Sequence, residues 1–138
     1  MSDFEIREAN HFDLEAIVEA ELLGPARHYF VAETTGEGKE VIGYAGVLAP
    51  DSADADVATI AVDPLARGKG VGLALMQRLL EVAKAQNALR VHLEVRLDNQ
   101  VAQQLYRKLG FVDVRVRKGY YEGGKVDALS MMLEMSRE

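Results

Sequence analysis

The sequence predicts an α+β fold in which helices pack on one largely antiparallel sheet. Two observations predict it. Short apolar runs with strand spacing give way to stretches where apolar residues recur at i, i+3 and i+4, and glycine and proline signals punctuate the changes. A chain of 138 residues with 49% hydrophobic content is long enough to close one core and too short for two, so residues 1–138 read as one domain.

Each element has a local reason. Phe4, Ile6 and their neighbours mark a first strand, and Asp13 is placed to cap a helix through Leu14, Ile17 and Val18. Tyr29 to Glu33 is a short strand, and the polar Thr34 to Glu40 is a hairpin turn into the β-rich VIGYAGVL, Val41 to Leu48. Asp56 to Val62 makes another strand, stopped at Asp63-Pro64 because proline lacks the amide a ladder needs. Leu75, Met76, Leu79, Leu80 and Ala83 put one apolar face on a helix from Gly72 to about Gln86. Leu89 to Val95 alternates strictly, with Arg90, His92, Glu94 and Arg96 on the face opposite Leu89, Val91, Leu93 and Val95. Asp98 or Asn99 caps a helix through Val101, Ala102, Leu105 and Leu109, and Gly110 ends it in the left-handed conformation. Val112 to Arg117 and Val126 to Leu133 close the sheet as a strand pair.

Composition excludes several functions. A net charge of -6 and a pI near 5.1 argue against a nucleic-acid partner, because phosphate binding needs a surplus of Lys and Arg. Without cysteine there is no disulfide scaffold, thiolate zinc site or cysteinyl intermediate. His11, His28 and His92 lack metal-ligand spacing, so no metal is expected, and the five methionines read as packing residues. No apolar run approaches the ~20 residues of a membrane span, and the acidic opening MSDFEIRE is not a secretory signal. The expected setting is the cytoplasm, with no membrane partner.

The stretch RGKGVG, Arg67 to Gly72, sits between a proline-stopped strand and a helix. Successive amides unobstructed by side chains converge on a pyrophosphate, and the helix N-terminus adds partial positive charge. Arg67 and Lys69 add formal charge, against the acidic trend of the chain. The Walker ending is absent, and Gly68, Gly70 and Gly72 lack the spacing of the dinucleotide fingerprint. Taken alone, such a loop is a phosphate cradle or merely a tight connection.

Arg67-x-x-Gly70-x-Gly72 after TIAVDP, then LEVRLDN at Leu93 to Asn99 and LYRKLGF at Leu105 to Phe111, resembles the GNAT superfamily of N-acetyltransferases. The resemblance implies the GNAT fold: a central, mostly antiparallel mixed sheet flanked by helices and splayed into an acetyl-coenzyme A cleft. It implies that Arg67, Gly68, Lys69, Gly70, Val71 and Gly72 hold the cofactor's pyrophosphate. Ile60, Ala61 and Val62 would meet the pantetheine amides through their backbone, and Asn99 and Tyr106 would line the other arm of the cleft. LEVR, LYRKLGF and RKGYYEGGKVDALSMML (Arg117 to Leu133) resemble, more narrowly, the RimI type, the ribosomal-protein-alanine N-acetyltransferases. That type implies direct acetyl transfer, in a ternary complex, to the N-terminal α-amino group of a protein, and an acceptor such as a ribosomal protein whose first residue is alanine. A monomer or weak homodimer is expected.

The same resemblance makes Glu94 the general base and Tyr106 the general acid. The chemistry is coherent: a protonated amine has no lone pair until its proton is taken, and an α-amino group of pKa ~8 yields it more readily than a lysine of pKa ~10.4. On a strand covered on both faces, desolvation would raise a carboxyl toward the working range. A tyrosine of pKa ~10 is ready to protonate the departing thiolate, and a strand amide near Val62 would support the oxyanion. Plainer roles stay open: charge balance between His92 and Arg96 for Glu94, packing for Tyr106, and hairpin cover rather than a substrate wall for Tyr120 and Tyr121, read as lying in a glycine-bounded connection. Acetylation of a lysine or small amine, or coenzyme A binding without catalysis, also stays open. One departure from the RimI type is the interval between Asp13 to Ala20 and Tyr29 to Glu33, about one helix and a loop short near Val18 to Ala20 and without tryptophan, in the segment that walls the acceptor site.

Overall fold

The computed structural model describes residues 3–10, 13, 26–50 and 53–135. His11, the helix expected through Leu14, Ile17 and Val18, and most of the shortened interval lie outside them. Among the described residues no helix is long and apolar enough to cross a membrane. The strands are β1 (Phe4–Glu8), β2 (Arg27–Thr34), β3 (Val41–Leu48), β4 (Asp54–Val62), β5 (Arg90–Arg96), β6 (Val112–Tyr121) and β7 (Val126–Glu134). Two helices, α1 (Val71–Ala85) and α2 (Gln100–Lys108), interrupt them.

All seven strands form one sheet in the order β1-β2-β3-β4-β5-β7-β6, antiparallel at every junction except β4 with β5. This is the GNAT fold: a mixed, open sheet with helices against it. The β4–β5 ladder joins Asp54, Ala55 and Asp56 to Arg90, Val91 and His92 and stops there, although β4 runs on to Val62 and β5 to Arg96. Beyond those three pairs the sheet parts. Opposite the parting, β4 shifts register against β3 between Gly46 and Val47, whereas β5 stays paired with β7 from Arg90 to Arg96.

The core lies on one face. Val71, Leu75, Met76, Leu79 and Ala83 of α1 are buried against Phe30, Ala32, Ala45, Val47 and Ala55, and the cluster continues through Val91, Leu93, Val95, Leu129 and Met131 to Tyr106 of α2. The alternation read in β5 thus sorts core from open face as expected. Gly43 lets α1 approach: a Cβ there would lie 3.0 Å from the Ala61 carbonyl and 3.1 Å from the Val71 side chain. A smaller cluster of Tyr29 and Val31, with Ala9, Val41 and Tyr44, covers the other face.

Among the boundaries that differ from the sequence reading, two bear on the site. β4 begins at Asp54 rather than Asp56, held by its parallel pairing with β5, which local pattern does not reveal. β6 runs to Tyr121, so Tyr120 and Tyr121 end a strand rather than lie in the connection; the register slips between Arg117 and Tyr121, and the ladder resumes at Tyr121–Val126. Asp13 is 5% exposed and clamped by Arg7, whose two guanidinium nitrogens each donate at 3.0 Å, while the Asn10 amide donates at 2.7 Å. Burial would raise the Asp13 carboxyl; the Arg7 and Asn10 hydrogen bonds outweigh it and hold the pKa below its ordinary value.

Candidate active site

The parting of β4 from β5 opens a cavity of about 760 Å³. One wall is Ile60, Ala61 and Val62 at the end of β4. Antiparallel ladders alternate, and here the Asp63 amide bonds the Ile42 carbonyl at 2.8 Å. Counting back along the register, Ala61 spends its backbone groups on β3, and those of Ile60 and Val62 face the parted edge.

The floor is the loop into α1. Asp63 starts a single 3-10 turn, Pro64–Ala66, by accepting from the Leu65 amide at 2.9 Å. Gly68 and Gly70 then take φ of 80° and 82°, the left-handed region that favours glycine, and a Cβ on either would meet nothing within 4 Å. Helix α1 begins with Gly70 as its N-cap and no side-chain cap, so its first amides point into the cavity's floor without an intrahelical partner. Arg67, Gly68, Gly70, Val71 and Gly72 line the cavity; Lys69 is exposed on the same loop and does not. Among the described residues Arg67 has no carboxylate partner.

The second wall is α2. Asn99 lines the cavity and caps the helix, its Oδ1 accepting from the Ala102 amide at 3.1 Å. Gln103, buried, ties α2 to the end of β5 by donating to the carbonyls of Arg96 and Leu97 at 3.1 and 3.0 Å. Tyr106 lines the cavity at 5% exposure, edge-on to Phe111 with ring centres 6.1 Å apart. Burial, with a smaller contribution from Tyr121, pushes the Tyr106 phenol up to about 12, so it keeps its proton at any physiological pH.

Glu94 stands on the open face of β5, two residues before Arg96, which does line the cavity. Its side chain is 27% exposed, so the face is not sealed over it. The Ser130 hydroxyl donates to Oε2 at 2.5 Å and Arg117 Nη1 donates to Oε1 at 3.2 Å. Its strand neighbours are engaged elsewhere: His92 Nε2 lies 2.8 Å from Asp54 Oδ1, and Arg96 grips Asp98 with two 3.0 Å bonds and Glu122 with one of 2.9 Å. The Arg117 guanidinium sits 4.8 Å from the ring centre of Tyr120, which meets Tyr121 edge-on at 4.8 Å; Arg96 lies 5.8 Å from the Tyr121 ring. Burial first, then Tyr120 and Glu94, raise the Tyr121 phenol, and Tyr121 in turn acts on Tyr106. The two tyrosines thus pack together beside Arg117 and Arg96, with Tyr121 within electrostatic reach of both Glu94 and Tyr106. Neither they nor Glu94 are part of the cavity's lining.

Arg96 and Asp98 also line the cavity, and the sequence reading passed over both as site residues. Their signal was weak. Arg96 shares a strand face with Glu94 as any surface charge would, and of its two carboxylate partners, Asp98 and Glu122, the second lies 26 residues on.

A sheet that parts after three parallel pairs, with a glycine loop and an uncapped helix at the parting and a buried tyrosine across from them, matches the splayed cleft that the sequence resemblance implies. Residues 2–111 match the model of the Acetyltransferase (GNAT) family, and the chain belongs to that family and is an N-acetyltransferase. Among curated relatives, N-alpha-acetyltransferase RimI of Mycobacterium tuberculosis is 39% identical over 80% of this chain and 68% of its own length. A Bacillus subtilis protein provisionally named a [ribosomal protein bS18]-alanine N-acetyltransferase is 38% identical over 83% of this chain and 74% of its own. The crystal structure of the ribosomal-protein-alanine N-acetyltransferase from Escherichia coli superposes with a TM-score of 0.80 at 27% identity, covering 98% of this chain and 96% of that one.

Tyr106 generates a pH prediction. In the unfolded chain a tyrosine ionises near ~10, whereas the folded chain holds the Tyr106 proton to about 12. The stabilisation is complete below the unfolded value and is lost as pH rises through the folded one. Between about pH 9 and about pH 11.5 the urea midpoint should therefore fall more steeply for the native chain than for Tyr106→Phe. Parallel slopes would contradict the burial argument.

Proposed function

We propose that the protein transfers the acetyl group of acetyl-coenzyme A to the N-terminal α-amino group of a protein, with an alanine-led ribosomal protein as the acceptor. The carrying observation is that one parting of the sheet brings together a glycine loop at an uncapped helix start, a strand edge with open backbone groups, and a buried phenol, with a carboxylate close by on the open face. The names of the relatives support the acceptor.

The cavity fits coenzyme A by chemistry as well as by size. Amides of the first turn of α1, with Arg67 beside them, suit a pyrophosphate, and the open backbone groups of Ile60 and Val62 suit a chain of amides. Bound there, the thioester supplies an activated acetyl group. Glu94 Oε1 takes one proton from the acceptor ammonium, exchanging Arg117 for it. The freed amine attacks the thioester carbonyl, and the Val62 amide at the parted edge steadies the oxyanion. As the N–C bond forms and the C–S bond breaks, Tyr106 gives its proton to the departing sulfur, and the proton still on the new amide nitrogen returns through solvent to Tyr106. Glu94 releases its own proton to solvent. The net change is amide, thiol and one proton. A phenol held near 12 suits this role because it is never ionised beforehand.

Intact-mass spectrometry tests the acceptor directly: the protein, acetyl-coenzyme A, alanine-led basic peptides, N-blocked peptides with an internal lysine, and polyamines. The mass gain of one acetyl group in place of one hydrogen is expected on the free alanine terminus only. Gain on lysine or polyamine alone would move the acceptor to another class. Glu94→Gln should lower kcat about a hundredfold or more while leaving coenzyme A affinity in place; undiminished turnover would remove Glu94 from the reaction. Gly70→Glu meets no neighbour through its Cβ but strains a backbone held at φ 82°, so with folding checked by urea denaturation, calorimetric affinity for coenzyme A should drop about tenfold or more. Native affinity would refute the cradle.

A further inference from the structure

The two groups that hold Glu94 differ in kind. Ser130 lies directly opposite it in the β5–β7 register, is 8% exposed, and reaches Oε2 through a side chain with one rotatable bond to its oxygen. A buried strand hydroxyl so placed has nowhere else to go. Arg117 approaches Oε1 from β6 on a long side chain that is 42% exposed, and its guanidinium also rests on Tyr120. An exposed guanidinium with a second resting place exchanges readily for another cation.

We propose that Ser130 is a positioning residue for acetyl transfer: by fixing Oε2 it aims Oε1, the oxygen Arg117 can surrender, at the acceptor ammonium. This rests on the reading of Glu94 as the base. Without the Ser130 hydroxyl the carboxylate gains a torsional freedom that a proton acceptor within hydrogen-bond reach must not have. The loss belongs to turnover and not to cofactor binding, since neither Ser130 nor Glu94 lines the coenzyme A cavity.

The test is steady-state kinetics with acetyl-coenzyme A and an alanine-led peptide for Ser130→Ala and Ser130→Thr, each also combined with Glu94→Gln. Ser130→Ala should lower kcat about tenfold with the KM for acetyl-coenzyme A unchanged, and Ser130→Thr, which keeps the hydroxyl, should restore most of it. In the Glu94→Gln background Ser130→Ala should cost nothing more. A native kcat for Ser130→Ala, no restoration by Ser130→Thr, or an undiminished tenfold loss on top of Glu94→Gln would each overturn the proposal while leaving Glu94 as base. A silent Glu94→Gln would overturn both readings together.

Discussion

The constraint on which the rest depends is the short parallel ladder between β4 and β5. Three residue pairs hold the antiparallel unit β1–β4 to the unit β5–β7–β6, and the strands diverge past His92. Each half has its own reason to diverge: β4 follows β3 through the shift at Gly46/Val47, and β5 follows β7 for its whole length. A parted strand edge is costly in a dry interior, because backbone donors and acceptors without partners cost as much as lost hydrogen bonds. It persists here because the edge faces a cavity open to water or to a ligand whose amides can complete the ladder. The parting of the sheet is thus also the proposed binding surface.

Everything else at the site is supported from that parting. α1 is drawn close by Gly43, which sets the glycine loop at the foot of β4. α2 is drawn in from the other side by Gln103 and by the packing of Tyr106 on Phe111. For Tyr106 packing and chemistry are one property. The burial that makes its ring part of the core is what raises its phenol to about 12 and keeps it a proton donor.

Much of the fold was legible because its signals are local. Val41–Leu48 is continuous β-former, the α1 stripe recurs at helical spacing, and Val91, Leu93 and Val95 alternate with charges. What was not legible is pairing at long range: that β5 runs parallel to β4, that β7 lies between β5 and β6, and that Tyr120 and Tyr121 belong to a strand whose ladder resumes after a register slip. The loop and the helix cap at Asn99 could be read from glycine spacing and cap chemistry. The bonds of Glu94 to Ser130 and Arg117 could not, since those partners are 36 and 23 residues away.

The arrangement of charge completes the division of the molecule. On the sheet and on α2, these cations are answered by carboxylates beside them: Arg90 by Asp54, Arg96 by Asp98 and Glu122, Arg107 by Asp113, Arg117 by Glu94. These pairs are largely exposed, and such pairs contribute little to stability, so their effect is to fix direction and to cancel field. With those cations neutralised, an acidic chain presents Arg67 beside the uncapped start of α1, where a polyanion needs it, and leaves Glu94 behind a cation that another cation can replace. In the proposed reaction the exchange of Arg117 for an acceptor ammonium keeps charge constant at the carboxylate, so acceptor binding need not expose an unpaired anion at any stage.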